Sequence, residues 1–217
     1  YSRVLRFFGI GESQLVTVLA DLIDKQTDPT LAPYAKVGEV TLRLSTKADS
    51  QEEANVRLNQ LEEEILQRDH LRVFFYAYGD DNSLVKTVAT LLEEKKQSLG
   101  ILENGTGGLL QAELSLALAG QPYYSGGKII GQLGTESGGL SEEASRIREE
   151  LQADLGLVVS VAVKPESTVD NVLAKVYLAL ASTSGISKKE VDLGGYSWQY
   201  LRQLACLQAL DFVRNTL

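Results

Sequence analysis

The stretch from Leu99 to Gly120, LGILENGTGGLLQAELSLALAG, constrains the fold most. An apolar start (Leu99, Ile101, Leu102) runs into a polar turn at Glu103 and Asn104. Gly105, Thr106, Gly107 and Gly108 then make a glycine-rich corner, and an amphipathic segment runs from Leu109 to Leu118. This is the grammar of a strand, a tight turn and a helix N-terminus. The first N–H groups of a helix lack partners inside it, so an anion or a developing oxyanion can sit there. Glycines let a ligand approach the backbone closely. Such corners also serve packing alone, so the pattern leaves both a site and a structural turn open.

Upstream, residues 3–10 read as a strand by their aromatic and β-branched content. Gly9 and Gly11 follow without a third glycine and read as a turn. Leu15, Val18, Leu19 and Leu22 predict a helix over 13–24. Asp28-Pro29 and Ala32-Pro33 mark a loop. Residues 39–46 alternate apolar and polar, as a strand with one wet face does. Ser50 and Glu53 form a capping box. The helix it opens buries Ala54, Leu58, Leu61 and Ile65, with Glu62, Glu63 and Glu64 as its solvated face. Residues 73–78 are a third strand. The expected first domain is therefore a small β-α-β-α-β unit over residues 1–78, of α+β class.

The composition turns polar at Gly79–Asn82, which places a boundary before a second domain over 79–217. Ser83 caps a helix striped with Leu84, Val88, Leu91 and Leu92. Beyond the central stretch, seven glycines between 120 and 139 (120, 126, 127, 131, 134, 138, 139) argue for a loop-rich segment, with a short strand at 128–130. Ser141 caps a further helix. Residues 155–163 are a near-continuous apolar strand, as in a sheet covered on both faces. Residues 173–181 and 186–193 read as a hairpin, and a final helix runs from 197 to 216. The second domain is expected to be α/β with a mixed sheet.

Charge narrows the function classes. The chain carries 29 acids and 21 bases, a net charge of −8, and neither half is basic. An electrostatic grip on nucleic acid is therefore not expected. No apolar run reaches the ~18 residues a membrane span needs. Cys206 sits in an apolar helical pattern and reads as an inert buried thiol. With His70 as the sole histidine, a histidine metal cluster is excluded. No metal site and no cofactor is expected. The chain begins at Tyr1 inside a strand-like run, which suggests a piece of a longer protein.

Three pieces, Arg3–Ser13, Ala32–Lys36 and Glu39–Leu44, resemble the middle, KH-type domain of the CinA competence/damage-inducible family, closely so for its streptococcal members. The second domain resembles that family's C-terminal nicotinamide-nucleotide amidohydrolase domain. The resemblance implies a further N-terminal domain of the molybdopterin-binding type. The G-x-x-G loop of nucleic-acid-binding KH domains is absent from residues 1–78.

The family's enzymatic turn is E-S-x-T-x-G, with its Ser as nucleophile. Here the turn holds Glu103, Asn104, Gly105, Thr106, Gly107 and Gly108, so Asn104 stands at the nucleophile position. A carboxamide is not a nucleophile. After Gly126-Gly127, Gly131 falls where the family's Tyr stands, and the segment carrying the family's general-base Lys is missing around Gln132, Leu133 and Gly134. The T-G-x-A-G-P loop that lines the family's nucleotide site reads Ser160–Pro165 without its glycines. The Gly-Thr of a later strand is replaced in Leu173–Tyr177, and Gly194-Gly195-Tyr196 lacks the family's Arg.

These departures imply a retained fold with an eroded site, in which Glu103, Asn104 and Thr106 are vestigial catalytic positions and Gly105, Thr106, Gly107 and Gly108 a vestigial ligand corner. Lys128 or Lys164 as a relocated base is the competing reading. By resemblance, the expectation is a cytoplasmic bacterial interaction or scaffold protein, homodimeric, with protein partners in competence and recombination such as the recombinase RecA. The alternatives are a working nicotinamide mononucleotide deamidase and a nucleotide-sensing remnant.

Overall fold

In the computed structural model, residues 1–131 and 139–217 are described. The chain divides into two compact units, Tyr1–Ser83 and Leu84–Leu217. The fold is mixed α+β throughout.

In the first unit the elements are β1 (Ser2–Phe8), α1 (Glu12–Val18), α2 (Ala20–Lys25), β2 (Thr30–Lys36), β3 (Glu39–Ser45), α3 (Gln51–Gln67), α4 (Leu71–Phe74) and β4 (Phe75–Tyr78). The sheet is antiparallel in the order β2-β3-β1-β4. The expected β-α-β-α-β order therefore lacked one strand. Ala32-Pro33, read as loop, lies in β2, where Pro33 faces Leu42. An edge strand has one unpaired side, so a residue without an N–H is tolerated there. The expected single helix over 13–24 is broken at Leu19, whose φ and ψ of −102° and 9° leave the helical region. Leu15 and Leu19 both reach the core, with Leu5, Phe7, Leu42, Leu44, Leu58 and Ile65. The strand expected at 73–78 starts at Phe75, after the short α4.

Helix α3 begins as its sequence suggests: the Ser50 hydroxyl accepts from the Glu53 N–H at 3.1 Å. The Glu53 carboxylate returns to the Asp49 N–H, one residue earlier than the standard box. Glu62 does not belong to a solvated face. It is buried, paired with Arg3 and accepting from the Tyr78 hydroxyl.

The second unit comprises α5 (Leu84–Lys95), β5 (Leu99–Asn104), α6 (Leu109–Ala117), β6 (Tyr124–Ile130), α7 (Gly139–Glu150), β7 (Leu155–Val163), β8 (Val172–Ser182), β9 (Gly185–Tyr196) and α8 (Trp198–Thr216). The sheet order is β6-β5-β7-β8-β9. β5 runs parallel to both neighbours, and β8 and β9 turn antiparallel, so one sheet holds both kinds of pairing. Leu102 and Val158 pack with Leu140, Ala144 and Ile147 of α7. Helices α5, α6 and α8 pack on one another.

The glycine-rich segment is more regular than expected, because β6 spans Tyr124–Ile130. A Cβ on Gly127 would lie 2.4 Å from the Gln111 side chain, so this glycine lets α6 approach the strand. Gln132, Leu133, Gly134 and Gly138 lie outside the described residues. Ser141 is not a cap, since α7 already includes Gly139 and Leu140. Ser197 does cap α8, accepting from the Tyr200 N–H. No described helix is long and apolar enough to cross a membrane.

Candidate functional site

The corner after β5 is built from two residues that the strand sends to opposite sides. Successive side chains of a strand alternate between faces. Glu103 points toward α6, and Asn104, one residue on, stands with the α7 side of the sheet. The enzymatic turn of the resemblance is thus split between two jobs.

Glu103 is fully buried. Its carboxylate accepts from the Thr106 hydroxyl and from the backbone N–H groups of Gln111 (2.8 Å) and Leu110 (3.3 Å). Those N–H groups belong to the first turn of α6, whose own N-cap, Gly108, has no side chain to offer. A carboxylate from the preceding strand caps the helix instead, and the macrodipole favours its charge. Part of the anion site expected at this helix end is therefore filled by the chain itself.

Asn104 is 8% exposed. Its amide nitrogen donates to the Ile130 carbonyl at 3.1 Å, and its carbonyl oxygen accepts from the Ser160 hydroxyl at 3.2 Å. It thereby ties the ends of β6, β5 and β7 together.

The glycines are dictated by close approach. Gly105, Gly107 and Gly108 all have positive φ. A Cβ at Gly105 would meet Val161 at 2.8 Å, and one at Gly108 would meet Ile129 at 2.6 Å. At Gly107 the neighbour is Arg202, whose guanidinium would sit 2.9 Å from the added carbon. Arg202 comes from α8, and its Nε donates to the Thr106 carbonyl at 2.9 Å. Sequence reasoning missed this residue. The only signal was a lone arginine between Leu201 and Leu204 on a largely apolar helix.

The two lysines considered as relocated bases are engaged elsewhere. Lys128 pairs with Glu150, which holds that carboxyl below its ordinary range through the hydrogen bond to the lysine. Lys164 pairs with Asp192 at 2.8 Å, and that hydrogen bond raises its ammonium above the usual lysine value. The corner's hydroxyls, Thr106 and Ser160, bond to Glu103 and Asn104. Tyr124, on the Gln111 side of β6, is pushed up to about 12, mainly by burial and then by the Glu103 charge. Cys206 is buried, and burial drives its thiol far above the ordinary cysteine range. Among the described residues no group of three His, Cys, Asp or Glu side chains converges as metal ligands do.

A family profile described as the damage-inducible protein CinA KH domain matches residues 2–77. A competence-damage inducible protein of Streptococcus suis (strain 98HAH33) is 83% identical over all 217 residues, which cover 55% of that protein. The chain belongs to the CinA family. A relative from Streptococcus agalactiae serotype III (strain NEM316) is 40% identical over an alignment 240 residues long, which covers all of this chain and 57% of that protein. Within that alignment the relative carries about 23 residues that this chain lacks, 240 against 217. The chain spans about half the length of these relatives. Among solved structures, a CinA superfamily protein from Klebsiella pneumoniae 700603 matches with a TM-score of 0.51 at 18% identity, covering 61% of this chain and 94% of that one. One from Escherichia coli matches with a TM-score of 0.50 at 19% identity, over 62% and 88%. At such identities the likeness speaks for the fold.

Proposed function

We propose that this CinA-family chain is a non-catalytic interaction or scaffold protein whose amidohydrolase-type site is eroded. The observation that carries the reading is the fate of Asn104. Amide hydrolysis through this corner needs an attacking oxygen, a base to take its proton, and donors for the oxyanion. A carboxamide stands at the attacking position, and both of its ends are spent on Ile130 and Ser160. Lys128 and Lys164, the bases the sequence offers, are drawn to Glu150 and Asp192. The resemblance supports protein partners inside the bacterial cell, in competence and recombination, with RecA as the one to try first, and assembly as a homodimer.

The test is ammonia release from nicotinamide mononucleotide. The purified chain is expected to release none above background. Turnover at an ordinary enzymatic rate, ~1 s⁻¹ or faster, refutes the reading. Arg202 over Gly107 favours a second reading, in which a nucleotide still binds without being hydrolysed. Calorimetry with nicotinamide mononucleotide separates the two, since the scaffold reading expects no heat of binding.

A further inference from the structure

We infer that the first unit carries a binding site for a small organic dianion, a phosphate monoester with an aromatic or apolar body, and that filling this site unlatches the segment leaving the unit. The site is a cavity of about 470 Å³ on the sheet face that carries Arg6. Its volume lies within the range of small-molecule pockets, ~300–1,000 Å³.

Strand register places its walls. Tyr34 stands opposite Thr41, Val4 opposite Arg43 and Lys36 opposite Glu39, so these side chains share one face. Val4 supplies apolar wall, and Tyr34, 53% exposed, offers an aromatic face. Lys36 is exposed and makes no ion pair among the described residues. Arg43 makes one, to Asp80, whose two carboxylate oxygens lie 2.7 and 2.8 Å from its Nη2. The other charges on this face cancel. Glu39 is buried, bonded by the Arg6 guanidinium at 3.1 Å and by the Tyr76 hydroxyl. One positive charge is therefore in surplus with Asp80 in place, and two once Asp80 leaves.

Asp80 is part of the chain's exit from the unit. The Gly79 N–H donates to the Val4 carbonyl at 2.9 Å. Arg6 Nη1 donates to the carbonyls of Gly79 and Asp80 at 3.3 and 3.2 Å. The exit is thus held through its backbone by Arg6 and through a side chain by Arg43. The Arg43–Asp80 pair is partly exposed, Asp80 more than Arg43, and such pairs hold weakly. A phosphate monoester is a dianion that an arginine fork grips well, and here it would have Lys36 as a second cation. It displaces the single carboxylate of Asp80, so the exit loses its side-chain tie to Arg43, while the Gly79 bond to Val4 and the two long bonds from Arg6 stay in place.

The test uses phenyl phosphate as probe, with inorganic phosphate beside it, read by calorimetry and by amide hydrogen exchange over residues 79–83. Phenyl phosphate is expected to bind the wild-type chain and to speed exchange there. Lys36→Ala and Arg43→Ala are each expected to weaken binding about tenfold or more. Asp80→Asn removes the internal competitor, so it should tighten binding and speed exchange without ligand. These side chains are at the surface, and far-UV circular dichroism checks that each variant folds. The inference is overturned by any of four results: no binding at millimolar probe, equal affinity for inorganic phosphate, weaker binding by Asp80→Asn, or unchanged exchange in the bound state.

Discussion

Ser160 and Asn104 meet across neighbouring strands, the Ser160 hydroxyl donating to the Asn104 carboxamide at 3.2 Å. The two residues are in register between β7 and β5, and Ile130 is in register on the other side. Asparagine suits the place because one side chain both donates and accepts. The carboxamide is a stitch between three strands.

Restoring a hydroxyl should therefore not restore an enzyme. Asn104→Ser is expected to release no more ammonia from nicotinamide mononucleotide than the wild type. It should also lose about 1 kcal/mol of stability, since serine cannot reach both partners. An ammonia assay and a urea titration check the two halves separately.

Glu103→Gln tests the internal cap. The neutral amide keeps the shape but brings an N–H₂ group against the donors of Thr106, Leu110 and Gln111. Losing charge-assisted bonds at a buried site should cost about 1–3 kcal/mol in chemical denaturation. A cost below ~0.5 kcal/mol would mean the α6 N-terminus does not depend on the carboxylate.

The apolar stripe of α5 gives a paired comparison. Leu92 is fully buried, whereas Leu91 beside it is half-buried. Leu92→Ala should destabilise by about 2–5 kcal/mol and Leu91→Ala by less. The same contrast is expected in α3, with Leu58→Ala costing more than Leu61→Ala. Denaturation of the four variants against wild type ranks them.

Asp154 links β7 to the start of β5 and responds to pH. Its carboxylate accepts from the Ser98 N–H at 2.8 Å and from the Ser98 hydroxyl at 2.9 Å. The backbone bond, then the hydroxyl, hold its pKa below the ordinary 3.8. A lowered carboxyl adds stability above its unfolded value and loses it as pH falls through the folded one. Asp154→Asn should therefore lower the melting temperature at pH 7, and the gap to wild type should close below about pH 3.8. A gap that persists in acid would assign the effect to packing.

Much of the fold was legible because it is written in local periodicity. The apolar run of β7, the hairpin of β8 and β9, the Ser50 cap and the final helix α8 each depend on residues close in sequence. Edge strand β2 was not legible, because Pro33 reads as loop until a partner strand stands on one side only. Nor was the burial of Glu62, which depends on Arg3, 59 residues away.

By itself the sequence determined the strand–corner–helix at 99–117, the need for glycine in it, and the absence of a nucleophile at Asn104. Only the tertiary structure decided what those residues do. Ser160 reaches Asn104 across 56 residues, and Arg202 reaches Thr106 across 96. Glu103 and Asn104 part company because a strand sends neighbours to opposite faces. A side chain's partner is set by sheet order and register, which follow from the packing of the whole unit and leave no mark on the spacing of nearby residues.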